Sequence, residues 1–212
     1  MDNQLTHDIF YIGANDKTLD LFEGQYIIPN GISYNSYIIL DDQIAILDTV
    51  DKRATQTWFS NLEQALHNRL PNYLIVLHME PDHAANISAF LDKYPSAKII
   101  VNAKTSKMIP QFFPNLNLDE RMVLVDEQTP LSLVKHTLSF IMAPMVHWPE
   151  VMMTYETQSK ILFSADAFGS FGTLDGALFF DEIQFQEEYF KEARRYYANI
   201  VGKYGLPVQN VL

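Results

Sequence analysis

The run YLIVL at positions 73–77 contains no polar alternation. A strand built from it has no face to offer water, so the fold must cover it on both sides. Directly after it comes LHMEPDHAANI, residues 77–87, where the chain turns sharply polar. His78, Glu80, Asp82 and His83 fall within six consecutive residues, in a chain with only six histidines. Rigid strand ends followed by loops are where folds aim functional side chains.

Other short β-like runs surround it. IFYIGA (9–14) is one, and SYIILDDQIAILDTV (36–50) reads as two strands around Asp41-Asp42. AKIIVN, MVLVDE, LVKHTLSFIMAP and VMMTYETQSKILFSAD give more. Helical spacing predicts a helix over 54–68, with Trp58, Leu62, Ala65 and Leu66 on one face. Helices are also expected over 84–94, over 103–113 and over 187–205. The last should carry Phe190, Ala193, Tyr197, Ile200 and Val201 as one stripe and stop at Gly205. Strands and helices do not alternate as regular βαβ units, and no glycine-rich dinucleotide loop or P-loop is present. Two packed sheets with helices outside fit this order. The final LPVQNVL places Pro207 at a helix start and reads as cut rather than finished.

Bulk properties exclude several functions. The chain has 212 residues, enough for one good-sized domain, and a net charge of −11. Such an acidic surface argues against nucleic acid and against anionic membranes as partners. The absence of cysteine excludes disulfides, thiolate zinc sites, iron–sulfur clusters and a catalytic thiol. The start, MDNQLTHDIF, has no secretory pattern, and no apolar run is long enough for a membrane span. A cytoplasmic protein is expected.

Two further strand ends carry metal-binding side chains: His147 in APMVHWPE and Asp166 in KILFSADAFG. Each has an ordinary alternative. Asp82 could cap a helix beginning near Ala84, with Glu80 near the dipole and His83 on the surface. His147 could be a core histidine bonded to a carbonyl, and Asp166 a turn former before Gly169. Three apolar runs all ending in such residues favour a metal site. His7, His67 and His136 lie in polar contexts and read as surface residues. The economical reading is two ligands for each of two ions: His78 with Glu80, and Asp82 with His83. Three nitrogens and three carboxylates without sulfur make a hard, anionic set that suits iron or manganese. Asp166, with two oxygens, is the natural bridge.

The run His78-x-Glu80-x-Asp82-His83, then His147, then Asp166, resembles the di-iron site of the flavodiiron proteins. NSYIILDDQIAILDTVD, VHWPE, ILFSADAFGSFG and EARRYYANIVGKYG match as well, so the likeness covers essentially the whole chain. It implies an α+β fold, a metallo-β-lactamase-like αββα sandwich with the metals at one edge. It implies that residues 1–212 are a di-iron domain cut at its C-terminal end, with no flavodoxin domain following. Hydrolases of that superfamily usually carry histidine where Glu80 stands. By the likeness, His78, Glu80 and His147 hold one iron, Asp82 and His83 the other, and Asp166 bridges them, with Trp148 packed close. The implied activity is reduction of dioxygen to water, of nitric oxide to nitrous oxide, or both. Electrons would come from FMN on a flavodoxin-like domain or from a rubredoxin-type protein outside this chain, and a head-to-tail homodimer is implied. The family's further histidine for the second iron has no counterpart, because no histidine follows His147. The alternatives are an oxygen-binding or sensing di-iron module, a zinc hydrolase, which Glu80 opposes, and a scaffold without catalysis.

Overall fold

Short β-branched runs become strands, and amphipathic runs become helices, in the computed structural model, which describes residues 3–118, 120–174 and 176–212. Seven strands come first: β1 (Ile9–Tyr11), β2 (Ala14–Asp16), β3 (Leu21–Phe22), β4 (Tyr26–Ile27), β5 (Ile32–Tyr34), β6 (Tyr37–Ile39) and β7 (Ala45–Leu47). Helix α1 (Thr55–Leu66) leads to β8 (Tyr73–Ile75), α2 (Pro81–Ala84), α3 (Ile87–Lys93), β9 (Lys98–Val101) and α4 (Thr105–Phe112). Strands β10 (Met122–Leu124), β11 (Leu131–Ser132), β12 (Thr137–Met142), β13 (Met152–Glu156) and β14 (Ile161–Phe163) follow. Helices α5 (Phe185–Glu188), α6 (Phe190–Tyr196) and α7 (Gly205–Val211) end the chain.

Two sheets form the body, in the orders β1-β6-β7-β8-β9-β10 and β11-β12-β13-β14. β7 to β10 run parallel, and the second sheet is antiparallel. Alternate residues divide the burial. Ile39, Leu47, Ile75 and Ile100 meet Leu138, Phe140, Met152 and Phe163 between the sheets. Ile38, Ile46, Leu74 and Ile99 join Trp58 and Leu62 of α1, Phe90 of α3 and Ile109 of α4. YLIVL is therefore covered on both faces, as its composition requires.

Three expectations need correction. The helix expected over 84–94 is two helices broken at Ala85-Asn86. Asn86 is buried, donates to Val50 O at 2.6 Å and accepts from Thr55 Oγ1 at 2.6 Å, which ties the break to neighbouring loops. The helix expected over 187–205 is also segmented. Tyr197–Val201 is a π turn and Gly202–Tyr204 a 3-10 turn. The wider turn moves the buried stripe to Tyr196, Ile200, Val201 and Val208, leaving Phe190 and Tyr197 exposed. Gly205 begins the last helix instead of ending this one, with Pro207 in its first turn as expected. Finally, His136 is buried, not on the surface: its ring nitrogens lie 3.1 Å from both Asp8 and Glu156. No helix among the described residues is long and apolar enough to cross a membrane.

Candidate metal centre

The carboxyl ends of the parallel strands point toward one edge of the sandwich, the position where open sheets place ligands. There the two sheets are tied together, since Met152 N–H donates to Leu77 O at 3.0 Å. Asp48 follows β7 and accepts Leu77 N–H at 2.7 Å, which fixes the approach to His78.

His78 is fully buried. Its Nδ1 lies 2.8 Å from Glu150 Oε1, which also accepts Met79 N–H at 2.9 Å. With Nδ1–H given to Glu150, Nε2 faces inward, 3.3 Å from Glu80 Oε2 and 3.2 Å from Asp166 Oδ2. His147 Nε2 reaches the same two oxygens at 3.0 and 3.1 Å. His83 repeats the pattern. Its Nδ1 lies 2.9 Å from Asp48 Oδ2, and its Nε2 lies 2.9 Å from Asp166 Oδ1 and 3.8 Å from Asp82 Oδ2. The result is two groups, His78–Glu80–His147–Asp166 and Asp82–His83–Asp166, each with donor atoms within 4.8 Å of one another. Asp166 belongs to both through opposite oxygens.

The ordinary alternatives do not describe this arrangement. Glu80, not Asp82, occupies the cap position of α2, and no side chain caps that helix. Asp82 Oδ1 is buried with no hydrogen-bond partner among the described residues. An orphaned carboxylate oxygen beside an imidazole nitrogen is what a cation-binding group presents. His83 is buried, and His147 faces carboxylates. Asp166 does form a turn, since Gly169 N–H donates to its carbonyl at 3.1 Å, yet its side chain faces His83 and His147.

Charge follows geometry. Burial pushes the histidines toward neutrality, but the charges of the surrounding carboxylates and hydrogen bonds to them outweigh it. His78 and His83 are held well above the usual range and His147 is raised to about 9. Burial raises Asp82 to about 7, with Asp166 and Glu80 adding to it. Burial opposes charge on Glu80 too, yet the bonds from His147 and His78 bring it down to about 2. Without a cation the group balances its carboxylates with protons, and a metal would replace them.

Sequence reasoning missed three members. Asp48 and Glu150 orient His83 and His78, and Tyr196 donates its hydroxyl to Asp166 Oδ1 at 2.9 Å. Asp48 did carry a signal, lying at the end of the apolar run IAIL. Trp148 lies edge-on to His78 at 5.2 Å between ring centroids. Asp48, Met145 and Ala165 all have left-handed backbone, with φ of 54°, 67° and 51°. Such strain persists where surrounding structure over-determines it. A cavity of about 400 Å³ opens onto Asp82, His83 and Asp166, walled by Phe22, Tyr34 and Phe168.

Comparison with known proteins places the fold. A family model described as ODP family beta lactamase matches residues 32–202. The anaerobic nitric oxide reductase flavorubredoxin of Vibrio vulnificus is 33% identical over 95% of this chain and 40% of its own length. The nitric oxide reductase of Moorella thermoacetica is 31% identical over 98% of this chain and 50% of its own. The chain therefore spans between two fifths and half the length of these relatives. Among solved structures, the flavodiiron protein from Giardia intestinalis superposes with a TM-score of 0.91 at 26% identity, over 99% of this chain and 50% of that one. Rubredoxin oxygen:oxidoreductase from Desulfovibrio gigas gives 0.91 at 27%, over 98% and 51%.

Proposed function

Because the chain belongs to the ODP family of beta lactamases and has the metallo-β-lactamase-like fold of the flavodiiron proteins, we propose that it is the di-iron domain of a dioxygen or nitric oxide reductase. The observation that carries this reading is the sharing of Asp166. One carboxylate divides its oxygens between two groups of donors, so it would bridge two ions. His78, Glu80 and His147 would hold one, and Asp82 and His83 the other. Glu80 supports iron over zinc, because it adds a hard anionic donor where a hydrolytic site would carry a neutral imidazole.

Bound there, iron would supply the electrons for gas reduction. The chain's own residues do the rest. Glu150 and Asp48 hold the Nδ1 protons and so keep the Nε2 atoms of His78 and His83 as donors. Tyr196 orients Asp166 and keeps a hydroxyl proton beside the cavity. Trp148 covers His78 from outside the group. The cavity beside Asp82 and His83 admits a diatomic gas with room to spare. Electrons would arrive from an FMN-bearing flavodoxin-like domain or a rubredoxin-type protein, neither of which lies in these residues.

The test is metal content of anaerobically purified protein, followed by gas consumption with a reduced flavin donor. About two irons per chain and multiple turnovers of NO or O2 are expected. Full iron occupancy with a single slow uptake of O2 would point to a binding module instead. Zinc occupancy with esterase activity, and refusal of iron, would overturn the proposal.

A further inference from the structure

The hairpin of β3 and β4 belongs to neither large sheet, although its Phe22 lines the cavity beside the centre. Its strands pair only Leu21 with Ile27 and Phe22 with Tyr26. The tip residues Glu23 and Gly24 have φ of 49° and 70°. A ladder that short does not hold itself in place. Side chains hold it. Phe22 and Tyr26 each lie 5.8 Å from the Phe171 ring, Tyr26 Oη donates to Asn199 O at 3.5 Å, and Arg195 donates to Ile27 O at 2.8 Å. Its inner side meets the centre: the Glu23 carboxyl faces Glu80, and Phe22 walls the cavity.

Arg195 stands at the junction. Its guanidinium lies 4.3 Å from the Phe171 ring centroid and is oriented by Glu192 at 2.6 Å. The next residue, Tyr196, packs on the same ring at 5.0 Å and donates to Asp166. One helical turn thus grips both the hairpin and the carboxylate shared by the two donor groups.

Resting on the metal reading above, we infer that the hairpin is a strap over the centre and that Arg195 is the positioning residue that latches it. Arg195 touches neither a donor group nor the cavity. It sets how readily the strap lifts, and so how fast small molecules reach the centre and metal leaves it. Local openings of this kind draw on elements with few backbone bonds.

The experiment compares the full chain with Arg195→Gln and Arg195→Lys. Two rates are read: amide exchange of the 21–27 segment by mass spectrometry, and iron capture from loaded protein by a ferrous chelator. Loss of a cation–π contact and a charged hydrogen bond should speed both about tenfold in Arg195→Gln. Exchange in β7 and β8 should stay unchanged, and Arg195→Lys should restore most of the slow rate. If Arg195→Gln does not fold, Tyr26→Ala cuts the same stack from the hairpin side and should give the same local acceleration. Unchanged rates in the 21–27 segment overturn the inference. So does acceleration spread evenly through β7 and β8, the mark of general destabilisation. If the chain takes up no iron, the metal reading fails, while amide exchange in metal-free protein still decides the strap.

Discussion

Glu150 touches no ion in the proposed site, yet the direction of His78 depends on it. It is 1% exposed and accepts hydrogen bonds from both His78 Nδ1 and Met79 N. Replacing it with glutamine keeps the shape and removes the charge that raises the imidazole's basicity. Glu150→Gln should therefore bind metal about 10–100-fold more weakly, read by competition with a coloured chelator. An unchanged constant would mean that His78 is positioned by packing alone. Proton linkage gives a second test. Metal-free His147 is raised to about 9, because bonds to Asp166 and Glu80 outweigh its burial. Below that pH its ring carries a proton that a metal must displace. Metal affinity should climb with pH through neutrality. Titration in buffers of different ionisation enthalpy counts the protons released, and a count of zero at pH 7 would contradict this linkage.

At the scale of elements, strand ends were legible and helix interiors were not. Each apolar run that stops at a ligand-type residue announces itself locally, which is why His78, Glu80, Asp82, His83, His147 and Asp166 could be named from sequence. Glu150, Asp48 and Tyr196 could not be paired, because their partners lie 72, 35 and 30 residues away. The last helix misled because its register is set by tertiary anchors: Tyr196 must reach Asp166 while Arg195 reaches the hairpin, and a π turn follows them. Gly169 serves the same anchor. A Cβ there would lie 2.8 Å from Tyr196 Cε1, so Gly169→Ala must push the ring off Asp166. A loss of about 1–3 kcal/mol in urea unfolding is expected, and unaltered stability would mean the ring has room to move. His136 makes a different point. Its polar neighbours in sequence suggested the surface, but Asp8 and Glu156 enclose it at the opposite end of the inter-sheet core. Burial disfavours its charge, yet the two carboxylates 3.1 Å from its ring nitrogens raise its pKa overall. A histidine raised on folding stabilises fully below its unfolded value of about 6.5, and that contribution fades as pH rises through the folded value. His136→Gln should accordingly cost more stability at pH 6 than at pH 9, by urea titration of both proteins. An equal cost at both pH values would exclude a charged His136.

The whole molecule decides what metal removal does. In small zinc modules the ion replaces a core, and chelation unfolds them. Here the centre sits on the rim of two sheets that already bury Ile39, Leu47, Ile75, Leu138, Phe140 and Met152 between them. The donor residues are also held without a cation, through Glu150, Asp48 and Tyr196. The metal-free chain should stay folded, with its sheet content intact by circular dichroism. Metal still binds only the folded state, so it must stabilise that state by mass action. At a free concentration about 100 times the dissociation constant the gain is about 2.7 kcal/mol. For a domain of this size that corresponds to a rise in melting temperature of about 5–10 °C. The increment should depend on Asp166 more than on any single histidine. His147 belongs to one donor group, whereas Asp166 supplies an oxygen to each. Asp166→Asn should thus abolish nearly all of the metal-dependent rise, and His147→Ala only part of it. Calorimetric scans of both variants with and without metal measure the two losses. Equal losses would mean that the groups bind independently and that Asp166 does not join them.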